Sequence, residues 1–365
     1  VRSRVTRLTG VAAGAALVLA SLVAAGPANA AGGETGTLNV TIVDDQGKPV
    51  NAIVWLVPEE MGEGSPEPFP LEEPEPGKSS YSQEIEVGKY GIVTMGGWSI
   101  MSCAGVVSCA TPPDEMSLRG DGAVTVTDGG VVNYTVTTAT PKLSGNSKVG
   151  SALAVDTPIL EGLNNLLGGM GGMAEFLGLF GTSFEPTVTW KRDGIAIRGE
   201  TGATYVTTGE DVGRSITAEV RLPNLLSLMF ASMGGGPYEQ FGLLPGPATL
   251  GPVVVAKNDS TTDVRIVGKR RVGHTPTAWI TVKGADRVNG WITVTGTGDK
   301  PLKLRLRDGF AKVELNKLRA GKKTVTATFD GTSTLNASSD TATFKMKKAK
   351  DGKKKNKNKK SSKKR

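Results

Sequence analysis

Short runs in which apolar and polar residues take turns fill most of this chain. Thr37-Leu38-Asn39-Val40-Thr41-Ile42-Val43 is the first, and its period of two is that of a strand with one face in a core. Asp45-Gln46-Gly47-Lys48-Pro49 then offers turn chemistry. Ala52–Val57 reads as the returning strand, and Ser82–Val87, Tyr90–Thr94, Ala123–Thr127 and Val131–Val136 continue the series. The same signature recurs at Val188–Arg192, Ser215–Val220, Trp279–Val282, Trp291–Val294, Leu302–Leu306, Ala311–Leu315 and Thr324–Phe329. Strands this short, punctuated by Gly and Asp-Gly, predict an all-β protein of small sandwiches.

Four stretches break the rhythm. Arg2, Arg4 and Arg7 precede an uncharged run from Val11 to Ala25, and Ala28-Asn29-Ala30 places small residues where a signal peptidase reads them. Residues 1–30 are therefore expected to be a secretory signal. The run is shorter than the roughly 18 residues a span needs, so no transmembrane span is expected in the mature chain. Pro58–Lys78 is a Glu/Pro/Gly loop. Two apolar insertions, 159–184 and 222–250, interrupt the middle of the chain, and 345–365 is Lys-rich.

In the insertions Leu160, Leu163, Leu167 and Met170 keep helical spacing, while Gly168, Gly169, Gly171 and Gly172 weaken any helix by roughly 1 kcal/mol each. Short helices in this part are compatible with the pattern. Leu163, Leu167, Met170, Met173, Phe176, Phe180, Leu226, Met229, Phe230 and Phe241 form a candidate apolar binding tip for a protein, lipid or hydrophobic ligand. The plainer reading is that these residues pack on each other as a satellite core.

Composition narrows the chemistry. The formal net charge of +8 hides a division: residues 31–140 carry 4 basic and 16 acidic side chains, 257–344 carry 16 and 8, and 345–365 carry 13 and 1. Lys353, Lys354, Lys355, Lys357, Lys359, Lys360, Lys363, Lys364 and Arg365 are candidate contacts for a polyanion such as an anionic cell-envelope polymer. No aromatic residue interleaves these lysines, so base stacking and sequence-specific nucleic acid binding are not expected. The two cysteines, Cys103 and Cys109, are expected to form one disulfide in an exported chain. A lone histidine, His274, rules out His-based zinc sites by count and leaves one base for any triad. It sits in a basic turn without a nucleophile motif, so no catalytic residue, cofactor or metal site is predicted. Glu59, Glu60, Glu72, Glu73 and Glu75 crowd the Pro-rich loop, where weak calcium attraction and plain solvation both fit.

Three resemblances organise these readings. Gly36–Val40 with Asp45-Gln46-Gly47-Lys48-Pro49-Val50 and Ala52-Ile53-Val54 resembles carboxypeptidase regulatory-like or prealbumin-like modules, which are β-sandwiches. Trp190 within Val188–Ile197, with Gly202–Tyr205 and Asp211-Val212-Gly213 ahead of Ser215–Val220, resembles the immunoglobulin-like repeats of secreted actinobacterial proteins. That likeness implies a core position for Trp190 and puts both apolar insertions at one end of their sandwich. Asp308–Val313 through Leu318–Ala327 and Asp330-Gly331 looks like bacterial Ig-like repeat domains of surface proteins.

The expected architecture is thus tandem Ig-like and prealbumin-like sandwiches at 35–140, 141–256 and 257–344, followed by a disordered tail at 345–365. Its expected role is a secreted or surface-bound binding or adhesion protein without catalysis, tethered through its basic end. A structural spacer and a carboxylate-dependent hydrolase are the alternatives.

Overall fold

The computed structural model describes residues 33–59, 69–71, 77–106, 118, 122–159, 186–222, 243–285, 287–298 and 300–349. Among these residues the chain is all β, with one 3-10 turn at Gly209–Asp211. It divides into two compact units. The first gathers the described residues up to Asn146, Ala152–Tyr205 and Ser215–Val253. The second gathers Ser147–Ser151, Val206–Arg214 and the described residues from Val254 onward.

The first unit opens with a sandwich. β1 (Thr35–Asp44) lies between β4 (Ser80–Glu86), which it pairs antiparallel, and β8 (Val131–Thr138), which it pairs parallel. The facing sheet is β3 (Phe69–Pro70), β2 (Ala52–Pro58), β5 (Gly88–Gly96) and β6 (Met101–Ala104), with β7 (Val124–Val126) also on β5. Alternation decides the faces. Leu38, Val40 and Ile42 turn inward against Val54, Leu56 and Ile92, while Asn39 turns outward and donates to Asn133 Oδ1 at 2.8 Å. β2 departs from alternation because it is buried along its whole length. An unbroken apolar run such as Ala52–Val57 suits a strand covered on both faces.

A second pair of sheets follows in the same unit. β9 (Lys142–Gly145), β10 (Ala152–Asp156) and β13 (Thr204–Val206) form one; β11 (Thr187–Arg192), β12 (Ile195–Ala196), β14 (Ser215–Arg221) and β15 (Ala248–Val254) form the other. Trp190 on β11 is fully buried against Tyr205 of the opposite sheet, with ring centroids 5.4 Å apart, and its indole N–H donates to Gly202 O at 2.8 Å. The β11–β12 hairpin turns on Asp193 and Gly194, both at positive φ (49° and 84°), the two-residue geometry that favours Asp-Gly. Asp193 Oδ1 also accepts from Ser215 N at 3.0 Å, which ties the turn to β14. Of the apolar insertions, Ile159 and Leu243 are buried and Ala248–Leu250 opens β15; residues 160–185 and 223–242 lie outside the described residues.

The second unit is a sandwich of β16 (Thr261–Val267), β17 (Thr277–Lys283) and β20 (Phe310–Glu314) against β19 (Leu302–Leu306), β18 (Gly290–Thr295), β21 (Gly321–Phe329) and β22 (Ser338–Met346). Ile280, Val282, Ile292, Val294, Val325, Phe329 and Phe344 fill it. Asp308 and Gly309, again at positive φ (48° and 75°), turn β19 into β20. The buried Asp211 accepts from Thr208 N at 2.6 Å and from Thr208 Oγ1 at 3.0 Å, and so holds the turn at 208–214.

Candidate functional site

The predicted site residues fall into two groups. Cys103 lies half-buried on β6 opposite Val93, while Cys109 lies outside the described residues. Every member of the candidate apolar tip, from Leu163 to Phe241, and every basic tail position from Lys353 to Arg365 also lies outside them. His274 is exposed in the connection between β16 and β17, its backbone N–H donating to Arg271 O at 3.0 Å. Among the described residues no group of three or more His, Cys, Asp or Glu side chains is placed to hold a metal ion, and no helix is long and apolar enough to cross a membrane.

The carboxylates with shifted pKa values share one direction. Asp45 is held below the usual carboxylate range by hydrogen bonds from Thr140 Oγ1 (2.6 Å) and from Lys142, whose ammonium stands 2.9 Å away. Lys191 and Arg221 do the same to Glu219, and Lys148 with Asn336 to Asp259. A carboxyl serving as general acid needs the opposite shift. These three are counter-ions that fix strands and turns.

Two open recesses are lined by described residues. In the first unit a groove of about 530 Å³ runs past Asp44, Lys48, Trp98, Thr140, Leu243 and Leu250. Gly97 N donates to Leu243 O at 2.9 Å beside it. Asp44 Oδ1 accepts from the backbone N–H groups of Gln46 and Lys48 at 2.9 and 2.8 Å, so its charge is spent on the turn.

In the second unit a recess of about 400 Å³ lies on the outward face of the β16–β17–β20 sheet, lined by Thr261, Thr262, Asp263, Arg265, Trp279, Thr281 and Lys283. Register builds it. Arg265 on β16 and Lys312 on β20 sit directly opposite Trp279 on β17, one on each side. The next row is Asp263, Thr281 and Phe310. Residues directly opposite share a face, so these side chains stand together. Trp279 is 48% exposed and Phe310 41%. Their rings meet edge to face, with centroids 5.9 Å apart and planes at 85°. Asp263 Oδ2 accepts from Arg265 Nε at 3.0 Å and orients the guanidinium. On the other sheet Trp291, also exposed, has Lys303 Nζ 5.7 Å from its ring centre.

Reading strands as core-forming elements misses this surface, although the signal is in the phase. In Trp279-Ile280-Thr281-Val282 the buried members are Ile280 and Val282. Trp279 shares its phase with Thr281, so the ring faces outward with the polar set.

No family model matches this chain, and no curated protein matches it. Several solved structures do. The fibronectin(III)-like modules of Clostridium thermocellum CbhA are 12% identical, with 56% of this chain and 94% of that one covered and a TM-score of 0.22. A 1.5-MDa bacterial ice-binding adhesin is 11% identical over 88% and 99%, with a TM-score of 0.21. BcpA, the major pilin subunit of Bacillus cereus, is 10% identical over 86% and 95%, with a TM-score of 0.21. All three scores lie low, and the fold of this chain rests on its own strands, registers and cores.

Proposed function

We propose that this protein is an exported, non-catalytic surface or extracellular protein, held on anionic envelope polymers by its basic C-terminal end. One observation carries the reading: acidic side chains dominate residues 31–140, while residues 257–365 hold most of the basic ones. A charge division of this kind steers one end of a molecule toward a polyanion and the other end away from it. The modules assigned to 35–140, 141–256 and 257–344 act as the folded part, and Lys353–Lys360 with Lys363, Lys364 and Arg365 act as the tether. Residues 1–30 direct export. Cys103 and Cys109 pair in the oxidising compartment, with a stabilisation of about 2 kcal/mol for so short a loop.

Fractionation of producing cells tests the reading. Protein bound to the cell pellet at low ionic strength and released by a wash at about 0.5 M salt supports it, since the Debye length then shrinks to a few ångströms. Protein free in the medium at low salt refutes it. The second reading, a structural spacer, is favoured by the serial sandwiches with separate cores; a chain lacking 345–365 that still remains on the pellet selects it.

A further inference from the structure

We propose that the outward face of the β16–β17–β20 sheet is a binding site for an acidic polysaccharide, with Trp279 as the stacking platform and Arg265, Lys312 and Lys283 as the anion contacts. The proposal deepens the polyanion reading by giving it a built site among the described residues, apart from the tail.

The argument begins with the cost of the arrangement. A tryptophan that stands outward on a sheet exposes a large apolar ring, and at 48% exposure Trp279 leaves much of that area to water. Nothing in strand formation requires it, since Ile280 and Val282 already supply the core-facing side of β17. Arg265 and Lys312 stand directly opposite it and Thr281 and Lys283 follow along the strand, while Phe310 meets its ring edge to face. Strand spacing of about 4.8 Å sets the two cations on either side of the ring.

That combination selects a ligand chemistry. The face of an indole is the negative side of its quadrupole, so it accepts the C–H edge of a pyranose ring or a cation. Cations flank this ring, which excludes a cationic ligand and favours one with carboxylate or similar acidic groups beside an apolar ring face. Arg265 is suited to a carboxylate because its guanidinium is planar, and Asp263 holds it through Nε. Thr281 and Thr261 add hydroxyls of the kind that pair with sugar hydroxyls. A protein partner would need an apolar surround that excludes water from the central ring, and here Phe310 is joined by Arg265 and Lys312, one on each side of Trp279. Single-stranded nucleic acid stacks successive bases on successive rings, whereas Trp279 and Phe310 stand with their planes at 85° and offer no parallel pair of platforms.

The test uses the full chain, with polygalacturonate as the acidic polysaccharide, dextran as the neutral one and polyphosphate as a polyanion without sugar rings. Titrations at about 0.3 M salt suppress loose charge attraction by the tail. The wild-type chain is expected to bind polygalacturonate and not dextran. Trp279→Ala should weaken polygalacturonate binding at least tenfold while leaving polyphosphate binding within twofold, and Trp279→Phe, which keeps a ring, should retain most of the affinity. Arg265→Ala should weaken it about fivefold. Circular dichroism of each variant should match the wild type, as expected for an exposed side chain. Equal affinity of wild type and Trp279→Ala for polygalacturonate overturns the proposal and leaves the tail tether standing. An equal loss on both polyanions also overturns it, because stacking then plays no part. Failure of the tether reading appears separately, as protein that leaves the cell pellet without salt.

Discussion

Replacing Trp190 probes the core of the second sandwich in the first unit. Its ring is fully buried, packs on Tyr205 and donates to Gly202 O. Trp190→Phe keeps an aromatic ring but removes the donor and the larger ring's outer atoms. Gly202 is itself exposed, so its carbonyl turns to water and the lost bond costs only its net value, about 1 kcal/mol. The unfilled volume adds about 1–2 kcal/mol, since a close-packed interior relaxes only in part. The expected sum is about 2–3 kcal/mol. Trp190→Ala should cost about 3–5 kcal/mol. Differential scanning calorimetry of the full chain reads this as a drop in one transition, about 4–12 °C for the Phe variant at some 2–4 °C per kcal/mol for a unit of this size. A Phe variant within 1 °C of the wild type would refute both the packing and the hydrogen bond. A drop spread equally over all transitions would refute the assignment of Trp190 to one core.

Gly309→Ala should destabilise the second unit by about 2 kcal/mol or more in urea unfolding: a left-handed Ala costs about 1–2 kcal/mol, and its Cβ would stand 2.4 Å from Val282 O. Asp259 is held below its unfolded pKa by Lys148 and Asn336, so its contribution is complete above about pH 4 and vanishes as pH falls through the lower folded value. The Tm advantage of the wild type over Asp259→Asn at pH 6 should therefore close by about pH 2. Tyr90 has the opposite sign: burial first, then Glu86, raises its pKa, so its contribution is whole below pH 10 and falls as pH climbs beyond it. Tyr90→Phe should flatten the alkaline limb of Tm against pH. Alkylation of the exported protein without reductant should leave Cys103 unmodified, and carbamidomethyl-Cys103 in the mass spectrum would refute the pairing with Cys109.

Much of the fold was legible because half-buried strands announce themselves. Leu38, Val40 and Ile42 against Thr37, Asn39 and Thr41 gave one face to the core, and Asp-Gly pairs punctuated the strands; Asp193-Gly194 and Asp308-Gly309 are such pairs, and both turn at positive φ. Other features depend on contacts remote in sequence. The parallel partnership of β1 with β8 joins residues more than ninety positions apart, and no local pattern encodes it. The double burial of β2 hides in an apolar run whose period does not separate a fully buried strand from a buried helical segment. Of the candidate surfaces, the lysine tail was plain from composition, whereas the Trp279 platform required knowing which residues lie beside β17 on each side. That knowledge is register, and register is set by turns and by pairing across the sheet.

The partnership of β1 with β8 also bears on how this molecule carries load. The chain enters β1 at Thr35 and leaves β8 at Thr138, and because Thr37 pairs with Val131 and Asp44 with Thr138, those two points lie at opposite ends of one ladder. Tension applied through them pulls the two strands lengthwise past each other, so the rungs between Thr37 and Asp44 resist together instead of opening one by one like a zip. A protein anchored at one end and dragged by flowing liquid at the other would meet that pull, at this sandwich, along the length of a ladder and not at its end.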